Sequence, residues 1–277
     1  MTIYANSQYK VVIIGSGNVA THIAKRLDQS PNVRIAQIFS RKQENADRLC
    51  SILRHTTEAI NDLGNMDIEA DLYIISVKDD AIAEVASMMP RPNHGIIVHT
   101  SGSAPDNAAA CTNAPYGVLY PLQTFSRDTD VDWTNITVFT YAENNNSHAV
   151  IDAVASCLSG NIRHIDGKKR ATLHIAAIFA CNFANYMWTE SDRILRQCGC
   201  TLSDLSPLLY ETLHKALSSS PAEAQTGPAR RGDTGLINKH LDMISDCNSR
   251  NIYKMVSNAI LCYYSENRTG NKPTDNE

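Results

Sequence analysis

The sequence predicts an α/β protein: a doubly wound parallel sheet over residues 1–166, then an all-α domain over residues 167–277. Two observations carry this. Short β-branched runs alternate with helical stretches through the first half, the pattern of parallel strands joined by crossover helices. After Asp166-Gly167 the strand signal stops, and helical periodicity continues to Tyr264.

Residues 11–14, Val-Val-Ile-Ile, are uniformly β-branched, as expected of a strand covered on both faces. Residues 18–28 follow with helical spacing, and 34–39 form the second strand. Helix 43–53, strand 71–77, helix 80–89 and strand 95–99 continue the alternation. Further strands are expected at 136–141 and 162–165, separated by helix 147–158. In the second half, residues 168–197 contain neither proline nor glycine and read as one long helix, apolar around most of its circumference. Helices are also expected at 202–217, 234–247 and 251–264, with a Ser/Pro/Gly-rich loop at 218–228 and a polar, frayed tail from Ser265.

Composition narrows the function classes. A net charge of -4 with both signs scattered leaves no basic stripe for nucleic acid. No apolar run reaches membrane-spanning or signal-peptide length, so a cytoplasmic protein is expected. The eight cysteines are dispersed and read as buried, reduced thiols, Cys157, Cys181 and Cys262 among them. Cys198-Gly199-Cys200 is too tight for zinc-ligand spacing, and no metal is expected.

The sharpest motif is Gly15-Ser16-Gly17-Asn18-Val19-Ala20, a G-x-G-x-x-A turn between a buried strand and a helix. In a Rossmann domain the first glycine makes the tight turn. The second lets a pyrophosphate approach the backbone, and the small third residue lets helix and strand pack closely. The helix start then offers free N–H groups to the phosphates. NAD-selective domains carry an acid about 20 residues further on. Here that place holds Ser40-Arg41-Lys42, a hydroxyl and two cations that suit the 2′-phosphate of NADP, or else form a solvated basic turn. NAD remains possible as the cofactor. Two more strand ends, Ser76-Val77-Lys78 and His99-Thr100-Ser101-Gly102, are expected to face the nicotinamide side.

In this order, with Tyr120-Pro121-Leu122-Gln123-Thr124-Phe125, the 173–182 run around His174 and the 226–233 run around Arg231, these motifs resemble the Rossmann-like proteins that carry a DUF2520 domain. That family is provisionally labelled NADP oxidoreductase, and its layout is similar to pyrroline-5-carboxylate reductase and the 6-phosphogluconate dehydrogenase group. The resemblance implies a helical second domain that dimerises and closes the active-site cleft. The family pattern has His before Pro-Leu-Gln-Thr-Phe, where this chain has Tyr120.

Catalytic candidates are therefore His174, Asn182, Tyr120 and Arg231. His174 and Asn182 lie eight residues apart on the predicted long helix, offset by about 80° and roughly 12 Å if it is α-helical throughout. Hydroxyacid dehydrogenase relatives place a Lys four residues before the Asn; here it is Ile178. His174 is then either the acid/base near a helix amide or a satisfied core histidine. Arg231 is a candidate anion grip, and Asp233 an N-cap or a substrate contact. Together these residues predict an NADP-dependent oxidoreductase acting on a small carbonyl, imine or hydroxy compound, with its site between the domains of a homodimer. The alternatives are a non-catalytic dinucleotide-binding or regulatory protein, and an enzyme pairing NADP with a deazaflavin.

Overall fold

The structure, a computed structural model, describes residues 8–110 and 114–269. The first seven residues and the tail from residue 270 lie outside the described residues. The described residues form eight strands: β1 (Tyr9–Ile14), β2 (Val33–Phe39), β3 (Glu58–Ile60), β4 (Leu72–Ile75), β5 (Ile96–His99), β6 (Tyr116–Pro121), β7 (Thr137–Ala142) and β8 (Asn161–His164). They make one sheet in the order β3-β2-β1-β4-β5-β6-β7-β8. The first six strands are parallel, with a doubly wound order that reverses beside β1.

The β1 sequence explains its central place. Val11 and Ile13 enter a core shared with α1 (Asn18–Leu27), α2 (Gln43–Ser51) and α4 (Asn145–Leu158). Val12 and Ile14 enter the opposite core, with α3 (Ile82–Met88). Successive side chains of a strand point to opposite faces, so only a fully apolar run can satisfy both layers.

Two strands escape the sequence pattern. β3 is only three residues long, and β6 contains both Gly117 and Pro121, which mask a strand signal. The sheet is also not parallel throughout. No helix interrupts the link from β6 to β7, so the chain folds back and the two pair antiparallel, with Tyr120 opposite Phe139. β8 then runs parallel to β7.

By its internal contacts the chain falls into two compact units, Met1–Cys181 and Asn182–Glu277. Helix α5 (Gly167–Ala177) belongs to the first. Its Asp166 cap accepts from Lys169 N at 2.8 Å. The predicted 168–197 helix is interrupted by a π turn, Ile178–Phe183, before α6 (Ala184–Leu195). The π turn resets the helical phase, so the α-helical offset expected between His174 and Asn182 does not apply. The second unit holds α6, α7 (Ser206–Ser218), α8 (Pro221–Ala224), α9 (Pro228–Arg231), α10 (Thr234–Met243) and α11 (Cys247–Thr269). Helix α8 occupies the stretch expected as a loop, and α11 runs past Ser265, where fraying was expected. Cys157 is half-buried, but Cys181 and Cys262, expected to be buried, are exposed. No helix of the described residues is long and apolar enough to cross a membrane.

Candidate functional site

The phosphate-loop glycines carry different constraints. Gly15 has φ +126°, and a Cβ there would collide with the carbonyl oxygen of Ser76 at the end of β4. This glycine is demanded by the fold itself. Gly17 caps α1 with ordinary extended backbone, and a Cβ there would meet nothing within 4 Å. Among the described residues no side chain caps α1, so its first-turn amides remain available to an anion. Ser16 Oγ donates to Ser40 Oγ at 2.9 Å, tying the loop to the end of β2, where Ser40 is buried and Arg41 exposed.

The Pro121–Phe125 motif segment folds back onto the same helix. Asn18 Nδ2 donates to Phe125 O at 3.0 Å, and His22 bonds Ser126 O at 2.8 Å. Val19 and Val77 pack against the two cores, while Lys78 is exposed.

From Gly15 a chain of contacts leads across the strand ends. Thr100 Oγ1 donates to Ser76 Oγ at 3.2 Å. Ser101 Oγ turns inward and accepts from Ser103 N and Ala104 N, shaping the turn after β5. At Gly102 a Cβ would lie 2.5 Å from His174 Nδ1 and 2.9 Å from Tyr120 Cζ. His174 Nδ1 and Tyr120 OH are themselves 2.9 Å apart. Two residues 54 positions apart in sequence thus form one hydrogen-bonded pair against the β5 turn.

Burial fixes the state of the tyrosine. Burial pushes the Tyr120 phenol up to about 12, with the Arg170 charge opposing and Asp79 adding. The phenol therefore keeps its proton, and its hydroxyl shares one hydrogen bond with His174 Nδ1.

Arg170, one helical turn before His174, is a residue the sequence did not single out. Its side chain is fully buried, and its guanidinium grips the Asp106 carboxylate and the Ala104 carbonyl. Asp106 also accepts from Gly167 N at 2.8 Å, so one carboxylate joins the turn after β5 to the start of α5. Arg170 Nε has no hydrogen-bond partner among the described residues. An arginine in a helical pattern reads as surface; only the long-range partner reveals it as buried.

His99 completes the turn. Its Nε2 bonds Pro105 O at 3.0 Å and its Nδ1 accepts from Ser101 N at 3.2 Å, a pattern that requires the neutral ring. Burial first, then the Arg170 charge, lower its pKa to about 4. The folded pKa lies below the unfolded value of about 6.5, so between them the unfolded chain binds the extra proton. Stability should therefore fall by up to about 3 kcal/mol as pH drops from 6.5 to 4. Urea titrations at stepped pH check this. The slope over that window should flatten in His99→Gln, and an unchanged slope would refute the assignment.

Asn182 and Arg231 lie in the second unit and are exposed there. Arg230, not Arg231, is the engaged member of its pair: it bonds Ala222 O and Gln225 O and stacks 4.8 Å from the Tyr264 ring centroid. Asp233 accepts from Leu236 N at 3.0 Å, as an N-cap of α10.

Comparison with known proteins gives two family profiles. "NADP oxidoreductase coenzyme F420-dependent" matches residues 10–102, and "Domain of unknown function (DUF2520)" matches residues 136–260. The second match begins upstream of Gly167 and takes in β7, α4 and β8. Curated protein sequences give no match. Among solved structures, a Bacteroides fragilis protein provisionally described as an NADP oxidoreductase is 36% identical. It superposes with a TM-score of 0.84, over 92% of this chain and 98% of that one. A Thermotoga maritima protein matches at 18% identity, TM-score 0.65, over 93% and 99% of the two chains. A Streptomyces aurantiacus imine reductase matches at 14% identity, TM-score 0.67, over 91% and 93%. The last two share the fold.

Proposed function

Since the chain belongs to the DUF2520-containing, NADP-oxidoreductase-like family, we propose that it binds NADPH at the Gly15–Gly17 turn and reduces a small carbonyl or imine compound beside Tyr120 and His174. The observation that carries this reading is the Tyr120–His174 pair, 2.9 Å apart and seated against Gly102. The fit of the dinucleotide rests on the uncapped start of α1 and on the side-chain-free approach at Gly17. A bound nicotinamide supplies two-electron redox chemistry. The protein must supply the proton. A protonated His174 would give it from Nε2 and revert to the neutral ring, while Tyr120 holds the ring through Nδ1. Arg170 and Asp106 fix the turn and the helix that position the pair. For Asn182 we keep the catalytic candidacy and for Arg231 the anion grip, each within the second unit.

The test is NADPH oxidation against a panel of small aldehydes, ketones and cyclic imines. Oxidation dependent on one of them supports the reading. Tight NADPH binding with no turnover on any would favour the non-catalytic dinucleotide-binding alternative.

Cofactor choice follows from Ser40 and Arg41. Removing the guanidinium in Arg41→Ala should weaken NADPH by about 1.5–3 kcal/mol, the worth of one charge-assisted bond. NADH binding should barely change. Calorimetry that finds the parent indifferent to the 2′-phosphate would refute this.

Assembly is part of the same reading. In the second unit Trp188, Tyr210, Leu213 and Leu217 are exposed, Tyr210 and Leu217 to 75% and 78%. Side chains of that size need cover, and a second copy is the proposed source. Sedimentation velocity should give a dimer at micromolar concentration; a monomer would count against it. The reading also places the protein in the reducing cytoplasm, where the seven described cysteines, none in a disulfide, stay thiols.

A further inference from the structure

On the α4 side of the sheet, a second cluster of titratable side chains stands apart from Tyr120 and His174. Helix α4 carries His148 and Asp152 four residues apart, on one helical face. The last residue of β8, His164, meets them there. His164 Nε2 lies 2.7 Å from Asp152 Oδ2, and the two imidazole centroids are 4.7 Å apart. One nitrogen from each ring and one carboxylate oxygen all lie within 4.8 Å of one another.

Two further observations bear on what the cluster is for. The other Asp152 oxygen accepts from Thr140 Oγ1 at 2.9 Å, and Thr140 is fully buried, so the carboxylate is held in place from behind. His148 Nδ1 is buried without a hydrogen-bond partner among the described residues. A His–Asp pair would satisfy itself, but it leaves that second imidazole unexplained. Buried polar nitrogens are seldom left unpaired.

We propose that His148, Asp152 and His164 form a binding site for a first-row divalent cation of the zinc class. Two imidazoles and one carboxylate suit Zn²⁺, Co²⁺ or Ni²⁺ rather than Mg²⁺ or Ca²⁺, which prefer oxygen ligands. Three protein ligands leave a coordination position for water. Thr140 is the outer hydrogen bond that orients the carboxylate, the arrangement typical of bound metals. The ion would clamp α4 to the sheet edge. It sits on the face away from the Tyr120–His174 pair, because Thr140 and Phe139 are successive residues of β7 and point to opposite faces. Cysteine spacing alone could not signal it, because its ligands come from a helix turn and a strand end 12 residues beyond Asp152.

The test uses the full chain, tag-free and stripped with chelator, titrated with ZnCl₂ in a calorimeter and assayed for bound metal after desalting. The expected result is one zinc per chain and a higher melting temperature with zinc, with MgCl₂ giving neither. His148→Gln, Asp152→Asn and His164→Gln should each weaken binding at least about tenfold, and Thr140→Val by about 10–100-fold. His94→Gln, at a surface histidine beside Glu69 and Asp71, should bind like the parent. Circular dichroism of the metal-free variants separates loss of ligand from loss of fold. Absence of uptake at a roughly tenfold zinc excess, or retained affinity in folded His148→Gln and His164→Gln, would overturn the site.

Discussion

A Gly17→Val chain is expected to melt where the parent melts, yet to lose NADPH and NADH binding by at least about 100-fold, some 2.7 kcal/mol. The fold places no demand for glycine at this position: the backbone is ordinary and a Cβ would meet open space. Whatever requires glycine there must come from outside the polypeptide, and a pyrophosphate held on the α1 amides is such a demand. Gly15→Val should behave in the opposite way. Its φ of +126° and the collision with the Ser76 carbonyl should cost the fold about 2–6 kcal/mol, from backbone strain and overpacking together. Differential scanning fluorimetry and calorimetry on the two variants check both claims. Parent-like NADPH affinity in a folded Gly17→Val protein would remove the dinucleotide site from this turn.

The largest effect on turnover is expected at His174. His174→Ala should lower kcat by about 10²–10⁴ on any substrate the parent accepts, the range for loss of a general acid. Its stability cost should stay near 1–2 kcal/mol, because the ring is only half-buried and the main loss is a partner for the Tyr120 hydroxyl. Tyr120→Phe keeps the ring packed beside Phe139, at 6.5 Å between centroids, and removes only the bond to Nδ1. Its kcat should drop by about tenfold, with KM little changed and the alkaline limb of the pH–rate profile displaced, since the hydrogen bond that holds the imidazole is gone. A merely structural tyrosine would alter stability without moving that limb. If steady-state kinetics find both variants at the parent rate, the proton role assigned to the pair is wrong, while the cofactor turn stands unaffected.

What the sequence determined by itself is local. Four β-branched residues before Gly15-Ser16-Gly17 specify a central strand, a tight turn and a helix start, because burial on both faces and a glycine-bearing turn are written in consecutive residues. The helical second half is legible for the same reason, as periodicity uninterrupted by strand signals. Tertiary structure alone decided the rest. β6 hides behind Gly117 and Pro121 and shows itself only by pairing with β5 and β7. Tyr120 meets His174 across 54 residues, and Arg170 finds Asp106 across 64. Taken in their own segments, Tyr120 and His174 read as separate catalytic candidates, and Arg170 and Asp106 as ordinary surface charges. Their chemistry depends on a partner and on a degree of burial that the sheet order imposes. Sequence periodicity reports which face of an element is covered, but not which distant side chain covers it.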